Sequence, residues 1–366
     1  MSGLLQTVVH GVLEWLKRPR NIGLRLIGYG ALVLSAALGM DLLGQLDYRD
    51  GQRSFSFKFA TGDGLPKWMV LAAYALGTLL VVIGLGLVLY SFVTDAKRAT
   101  RQIAVVVELR GLHASPDTPA KDADLGALPG RRVWLKLDFR PKTEAEHVDP
   151  VIALQKIAGL KGALQTLVDG RDPSDVSVAI GGLAAVPALF LAGMLLDDES
   201  AVTVYDWQRD TKRWRLIDGQ DDGKRVMSVD YSSLPAGATE AVLTASLSYL
   251  VELSAVKAAF PTLNVVELTA EEVVADKYWS GEKQQAVTAA FRATVQELLH
   301  RGVRRIHLVL AAPASLAIRL GMAYDRRLLP ELLVYQYEKS SIPPYPWAFA
   351  MPTHGRTTAN LVAKSG

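Results

Sequence analysis

The sequence predicts an α/β protein in which two N-terminal transmembrane helices precede two fused α/β lobes. Three observations carry this reading. Residues 68–94 form an apolar run without a single Asp, Glu, Lys or Arg, and a weaker apolar stretch lies near residues 22–46. From Ile103 onward, short Val- and Ile-rich runs alternate with segments of helical spacing. That alternation then repeats in the second half of the chain. Strands alternating with helices imply parallel sheets covered by helices.

A helix needs about 20 apolar residues to cross a bilayer, so residues 68–94 are read as a span, with Trp68 and Tyr90 suited to its two interfaces. The uncharged run Leu26–Met40, bounded by Arg25 and Asp41, is too short alone. Extended to about 22–46, it crosses if Arg25 snorkels to the headgroups. Ahead of it, Leu5, Val8, Val9, Val12 and Leu16 share one helical side. They form either an interfacial helix or one packed on the soluble region. Residues 1–101 are thus a membrane module.

Lys17, Arg18, Arg20 and Arg25 precede the first span, and Lys97, Arg98, Arg101 and Arg110 follow the second. The loop between holds Arg49, Arg53, Lys58 and Lys67, set less tightly against the spans. The positive-inside rule then places both termini in the cytoplasm of a multi-pass protein. Phe55, Phe57 and Phe59 alternate in that loop as in a short strand. Ala73 with Gly77, and Ser35 with Gly39, have small-xxx-small spacing, which permits close helix contact. Gly28, Gly30, Gly84 and Gly86 also punctuate the spans.

Composition excludes several functions. The net charge of +3 is too small for a nucleic-acid groove, so no DNA or RNA duplex partner is expected. The absence of cysteine removes disulfides, thiolate metal sites and a Cys nucleophile. The six histidines show no metal spacing, and no GxxxxGKS/T or GxSxG motif occurs. No catalytic or metal site is expected, and the chain is not read as an enzyme. His307 reads as a core histidine; Asp197-Asp198-Glu199 and Asp221-Asp222 read as solvated turns.

Strands are expected at 103–109, 133–139, 176–180 and 202–207, with helices at 151–168 and about 184–196. The second half offers strands at 241–248, 264–268, 306–310 and 334–337, helices at 282–300 and after Pro313, and a last strand at 348–351. Lobe boundaries fall at about 102–235 and 236–351, with a disordered tail at 352–366. The repeat is visible in residues. Ile180 precedes Gly193-Met194 by the interval that separates Leu308 from Gly321-Met322, and Val204-Tyr205 and Val334-Tyr335 follow. Parallel sheets bind ligands at the carboxyl ends of their strands. Gly181-Gly182 and Ala311-Ala312-Pro313-Ala314-Ser315 each follow a strand and open a helix, where small residues admit a ligand and a helix N-terminus favours phosphate.

The segments IHLVLAAPASLAIRLGMAYD and LLVYQYEK, between Ile306 and Lys339, resemble the C-terminal signature of SAVED domains. LFLAGMLLDDESAVTVYDWQRDTKRW (Leu189 to Trp214) resembles the other signature of that family, and VELRGLHA (Val107 to Ala114) its opening strand. The resemblance covers roughly residues 103–351. It implies two fused CARF-like, Rossmann-like halves that bind a cyclic oligonucleotide, for example a cyclic trinucleotide, in CBASS anti-phage defence. With two spans as the attached module, it implies a two-transmembrane SAVED effector of the bacterial inner membrane. In such effectors ligand drives homo-oligomerisation and disrupts membrane lipid in abortive infection.

Ligand contacts implied on this reading are Arg110 and Gly111 at the end of one strand, and Ser246 and Ser248 at the end of its counterpart. Gly181, Gly182, Ala312, Pro313 and Ser315 follow at the two turns. Arg110 either pairs a phosphate or is a salt-bridged surface residue. Tyr337, with Tyr205, Trp207 and Tyr335, either stacks bases or belongs to the core. Gln208-Arg209 and Trp214 match the family signature. Rival functions are a membrane-anchored ring nuclease and an anchored, ligand-dependent adaptor.

Overall fold

The computed structural model describes residues 22–37, 48–50, 53–55, 67–112, 128, 130–143, 147–197, 202–224 and 226–363. The expected amphipathic N-terminal helix, residues 38–46 of the first span, Phe57 and Phe59, the proline-containing loop at 114–127 and Asp198-Glu199 lie outside the described residues. The chain divides into two units, residues 1–100 and 101–366.

In the first unit, α1 (Ile22–Ala37) and α2 (Lys67–Arg101) flank a small antiparallel pair, β1 (Tyr48–Asp50) and β2 (Arg53–Phe55). The 35 residues of α2 extend about 50 Å at 1.5 Å per residue. Leu71, Leu79, Val82, Leu85, Leu89 and Phe92 are exposed along it. An apolar surface of that kind suits lipid rather than water. The two helices meet at glycines. A Cβ at Gly23 would lie 2.7 Å from the carbonyl oxygen of Gly84, and one at Gly30 would lie 2.7 Å from that of Gly77. These pairs run in opposite order, so the helices are antiparallel. The contact therefore repeats every seven residues, rather than at the expected Ala73/Gly77 spacing. Gly28 and Gly86 have nothing within 4 Å and take no part in it.

The second unit holds two sheets. The first has the order β4-β3-β5-β6-β7. Its strands β3 (Ile103–Arg110), β4 (Arg131–Asp138), β5 (Val176–Leu183) and β6 (Val202–Gln208) are parallel, and β7 (Arg213–Leu216) is antiparallel to β6. The second has seven strands, ordered β14-β13-β12-β11-β9-β10-β8. Its parallel centre is β9 (Glu240–Ser246), β10 (Val265–Ala270), β11 (Arg305–Ala311) and β12 (Glu331–Gln336). Antiparallel strands β8 (Val226–Asp230), β13 (Trp347–Ala350) and β14 (Asn360–Ala363) complete it.

Two expectations change. The boundary between lobes falls before β8, not at residue 235, because Val226–Asp230 pairs with β10 of the second sheet. Residues 352–363 are not a featureless tail. Asn360–Ala363 pairs with β13, and Leu361 packs on the core. Four residues are too few to show a period in sequence, and Arg356 pins the preceding turn by donating to the carbonyl of Met351 (2.9 Å) and pairing with Glu331 (3.1 Å).

The expected helix at 151–168 is two helices, α3 (Pro150–Ala158) and α4 (Leu160–Val168), joined at Gly159. Asp149 caps the first by accepting from Val151 N at 2.8 Å. By length and composition this stretch passes as a membrane span. Its buried side, Ala153, Ile157, Leu160 and Leu164, is part of the core of the second unit, which assigns it there rather than to lipid.

The lobes join through α5 (Val186–Leu195) and α8 (Ala314–Met322), the helices that the repeat places at equivalent positions. A Cβ at Gly193 would collide with the carbonyl oxygen of Ile318, and one at Gly321 with that of Phe190. Each clash partner lies three residues before the other glycine, so the contact has pseudo-twofold symmetry. Between them α6 (Leu253–Ala259) and α7 (Gly281–His300) serve the second sheet. One continuous cluster of buried side chains, including Val107, Phe190, Leu243, Phe291 and Leu308, runs through both lobes.

We expect Gly193→Ala and Gly321→Ala each to lower stability by about 1–3 kcal/mol, the usual cost of overpacking. The double variant should lose less than the sum, because separating the helices once relieves both clashes. Thermal unfolding of the full chain in detergent measures this; unchanged melting in both single variants would contradict the contact.

Candidate functional site

The parallel strands of both lobes end in the same way. In the first lobe Gly111 N and Leu112 N both donate to the carbonyl of Leu183, at 2.8 and 3.0 Å. In the second, Leu247 N and Ser248 N both donate to the carbonyl of Ala311, at 3.0 Å each. Arg110 lies opposite Leu183 and Ser246 opposite Ala311, so Arg110 and Ser246 are counterparts. Beyond these ends Leu112, Tyr249, Leu250 and Tyr337 are exposed. The lobes touch here: Arg209, just after β6, donates from a terminal nitrogen to the Tyr249 hydroxyl at 2.9 Å, with its guanidinium 6.0 Å from the ring centroid. His147, ahead of α3, lies 3.0 Å from the Ser340 hydroxyl of the other lobe.

Arg110 is buried and bonds Glu108 at 2.7 Å, while its Nε has no hydrogen-bond partner. Beside it, Asp138 and Arg140 form a multiply hydrogen-bonded pair, closest at 2.7 Å. The Arg140 bonds hold the Asp138 carboxyl below its ordinary range. With Pro141 and Lys142 they line an open depression of about 290 Å³.

Gly111 is required by packing, since a Cβ there would lie 2.6 Å from the Phe139 ring. Gly181 and Gly182 do not form the turn expected of them. They lie within β5, Gly181 against Trp214 (2.9 Å to an added Cβ) and Gly182 against Leu109. The turn itself is Ala184-Ala185. Ser246 Oγ accepts from Val251 N at 3.0 Å, and Ser248 Oγ donates to the carbonyl of Ala311 at 3.3 Å. Ala312 and Pro313 are half-buried where α8 begins. Tyr205 and Tyr335 are core residues, and His307 is satisfied by Tyr335 (3.1 Å) and Glu240 (3.2 Å). Tyr337 is exposed, its ring 5.4 Å from that of Tyr345. Asp222, read as part of a solvated turn, is exposed and also pairs the buried Lys283 at 2.7 Å.

Ser315 is the clearest correction. Its side chain is fully buried, donating to Asp206 at 2.6 Å and accepting from Gln284 Nε2 at 2.9 Å. Asp206 also accepts from Ser315 N at 3.2 Å, so a carboxylate of the first lobe occupies the N-terminus of α8 in the second. The counterpart runs the other way: Gln336 Oε1 accepts from Val186 N at 3.1 Å, at the N-terminus of α5. These donors are the ones a bound phosphate was expected to use, and each is taken by the opposite lobe. Neither residue was singled out from the sequence, although Val-Tyr-Asp and Val-Tyr-Gln at 204–206 and 334–336 stand at matching places in the repeat. Tyr249 was also missed. Among the described residues no group of three His, Asp or Glu side chains forms a metal site.

Paired strand ends on a duplicated α/β fold, carried by a pair of apolar helices, define a membrane-associated ligand-sensing protein. A family model for SAVED, the SMODS-associated and fused to various effectors sensor domain, matches residues 160–351. A second, for the SAVED-fused 2TM effector domain, matches residues 2–154. The chain belongs to the SAVED family, with a fused two-transmembrane effector domain. The effector match runs past the structural boundary at residue 100 and takes in β3 and β4, which pair with β5 of the sensor sheet; strand pairing is the firmer criterion for the fold.

The Acinetobacter baumannii Cap4 SAVED/CARF-domain containing receptor, solved with the cyclic trinucleotide 2'3'3'-cAAA, is 13% identical over 76% of this chain, with a TM-score of 0.45. The Moraxella osloensis Cap4 receptor is 13% identical over 75% of this chain, with a TM-score of 0.42. This chain spans 59% and 58% of those two chains. No curated protein matches the chain.

Burial of Asp206 pushes its carboxyl above the ordinary 3.8, against the lowering effect of the Ser315 and Trp207 hydrogen bonds. A raised folded-state value means that this site favours folding while protonated. That contribution is complete below about 3.8 and lost as pH rises through the raised value. Asp206→Asn keeps an acceptor for Ser315 but cannot ionise. Its melting temperature should therefore gain on the wild type as pH rises through this window, then hold a constant difference. Curves parallel throughout would contradict the assignment.

Proposed function

We propose that the chain is a membrane effector gated by a cyclic oligonucleotide bound where the strand ends of both lobes converge. The observation that carries the reading is the bridge from Arg209 to Tyr249, with Tyr249 and Tyr337 exposed on the second lobe. Aromatic faces stack bases at about 1–3 kcal/mol each, and a guanidinium pairs phosphate. Arg110, Ser246, Ser248, Ala312 and Pro313 edge the same site, and Gly111, Gly181 and Gly182 shape it through packing. Ser315 acts through Asp206 rather than by touching ligand.

Only Gln102 separates α2 from β3, the strand that ends at Arg110. Ligand that binds one arrangement of the lobes more tightly shifts the population towards it. In this reading that arrangement oligomerises, repacks the glycine-bearing spans and opens the bacterial inner membrane. Both termini face the cytoplasm, where a messenger made during phage infection is found.

The test is calorimetry of the full chain in detergent against cyclic di-, tri- and tetranucleotides, followed by dye release from proteoliposomes. One ring should bind tightly and trigger release. Tyr249→Ala should weaken binding about 5- to 160-fold, the loss of one stacked base, while Tyr249→Phe, which keeps the ring, should lose less. Absence of binding by folded protein would overturn the sensor reading. Binding with unchanged oligomeric state and intact vesicles would overturn the effector reading alone. Linear products on chromatography would favour a ring nuclease.

A further inference from the structure

The last uncharged residue of α2 before its basic end is Thr94, and the helix continues unbroken to Arg101. Seven further helical residues rise about 10 Å, enough to pass the headgroup layer. The first strand of the sensor sheet, β3, begins at Ile103. Arg131 N donates to the carbonyl of Gln102 at 3.0 Å, and Arg171 donates to the carbonyl of Arg101 at 3.1 Å. Gly130, with φ of 93°, lets this turn lie against Gln102, where a Cβ would collide. In register, Arg131 lies opposite Ile103 and Arg132 opposite Ala104. Arg101, Arg131, Arg132 and Arg171 are all exposed at this start of the sheet.

β4 is an edge strand of its sheet. Its alternate residues Arg132, Trp134 and Lys136 are exposed, Trp134 by 42%. No acidic residue occurs from Leu128 to Leu137. Cations on an edge strand ordinarily discourage sheet-to-sheet aggregation, but an exposed tryptophan between them works against that purpose. Indole flanked by cations is the composition of a membrane–water interface. Asp169, Asp172 and Asp175 precede β5, which lies across β3 from β4. The effector-domain match, which covers the spans, also extends through β4.

We propose that the exposed face of β4, with Arg132, Trp134 and Lys136 and with Arg131 exposed at the start of the strand, is a docking surface for anionic phospholipid headgroups. The attraction is electrostatic at Arg131, Arg132 and Lys136, and interfacial at Trp134.

The chain contains no cysteine, so one introduced thiol reports from one place. Lys136→Cys, carrying an environment-sensitive nitrobenzoxadiazole probe, is reconstituted as full chain into vesicles of pure phosphatidylcholine or of phosphatidylcholine with phosphatidylglycerol. Phosphatidylglycerol should blue-shift the probe and expose it to quenching by spin-labelled lipid. A probe at Gln296→Cys, exposed on α7, should respond to neither. Adding Arg131→Glu and Arg132→Glu should abolish most of the shift, with the circular dichroism spectrum unchanged. Restoring positive charge by Arg131→Lys and Arg132→Lys should recover it. An identical response in the two lipids, or a shift that survives charge reversal in folded protein, would overturn the proposal.

Discussion

Where α5 crosses α8, each helix carries a glycine at which any side chain would strike the backbone of the other, Gly193 against Ile318 and Gly321 against Phe190. Backbone contact at that distance brings the axes close enough for Phe190 to meet Phe291 and Tyr324 edge-on, at 6.5 and 6.0 Å between centroids. It also brings β6 within reach of one helix N-terminus and β12 within reach of the other. The Asp206 and Gln336 contacts depend on this approach. The short Asp206 and Ser315 side chains could not bridge lobes held a residue's width further apart.

The reciprocal caps change how such a site holds an anion. A helix N-terminus is ordinarily an anion site because its first N–H groups lack partners. Here a buried carboxylate occupies one such end and an amide oxygen the other. On the function proposed above, the polar contacts left for a ligand lie further out, on Arg209, the tyrosine hydroxyls and the serines at and after the end of β9. A ligand held there would touch side chains of both lobes and sense the angle between them. Sites built on helix ends would sense each lobe separately.

Much of this fold could be read from the sequence because its signals are local. The uncharged run at 68–94, the Val-rich strands and the repeated Gly-Met step each declare themselves within a few residues, and family resemblance supplied the pairing of the lobes. What failed to show depends on distant partners. Gly181 and Gly182 look like turn residues until Trp214 and Leu109 are placed against them. Ser315 looks available until Asp206, more than a hundred residues earlier in the chain, is seen to hold it. The heptad spacing of Gly23, Gly30, Gly77 and Gly84 appears only when two helices are docked, and β14 is too short to announce itself. Arg110 and Ser246 do lie at the ends of β3 and β9, and Ser248 two residues beyond, because a strand's end is a local property.

The pseudo-twofold axis between α5 and α8 has an evolutionary consequence. A single lobe bearing this helix would bury it isologously against an identical copy, giving a dimer in which each change occurs twice. Joining the copies in one chain releases them from that identity. The counterpart of Arg110 is now Ser246, that of Gly111 is Leu247, and the cap that is Asp206 on one side is Gln336 on the other. A homodimer presents the same chemistry to both halves of a ring. The fused form has two unlike halves.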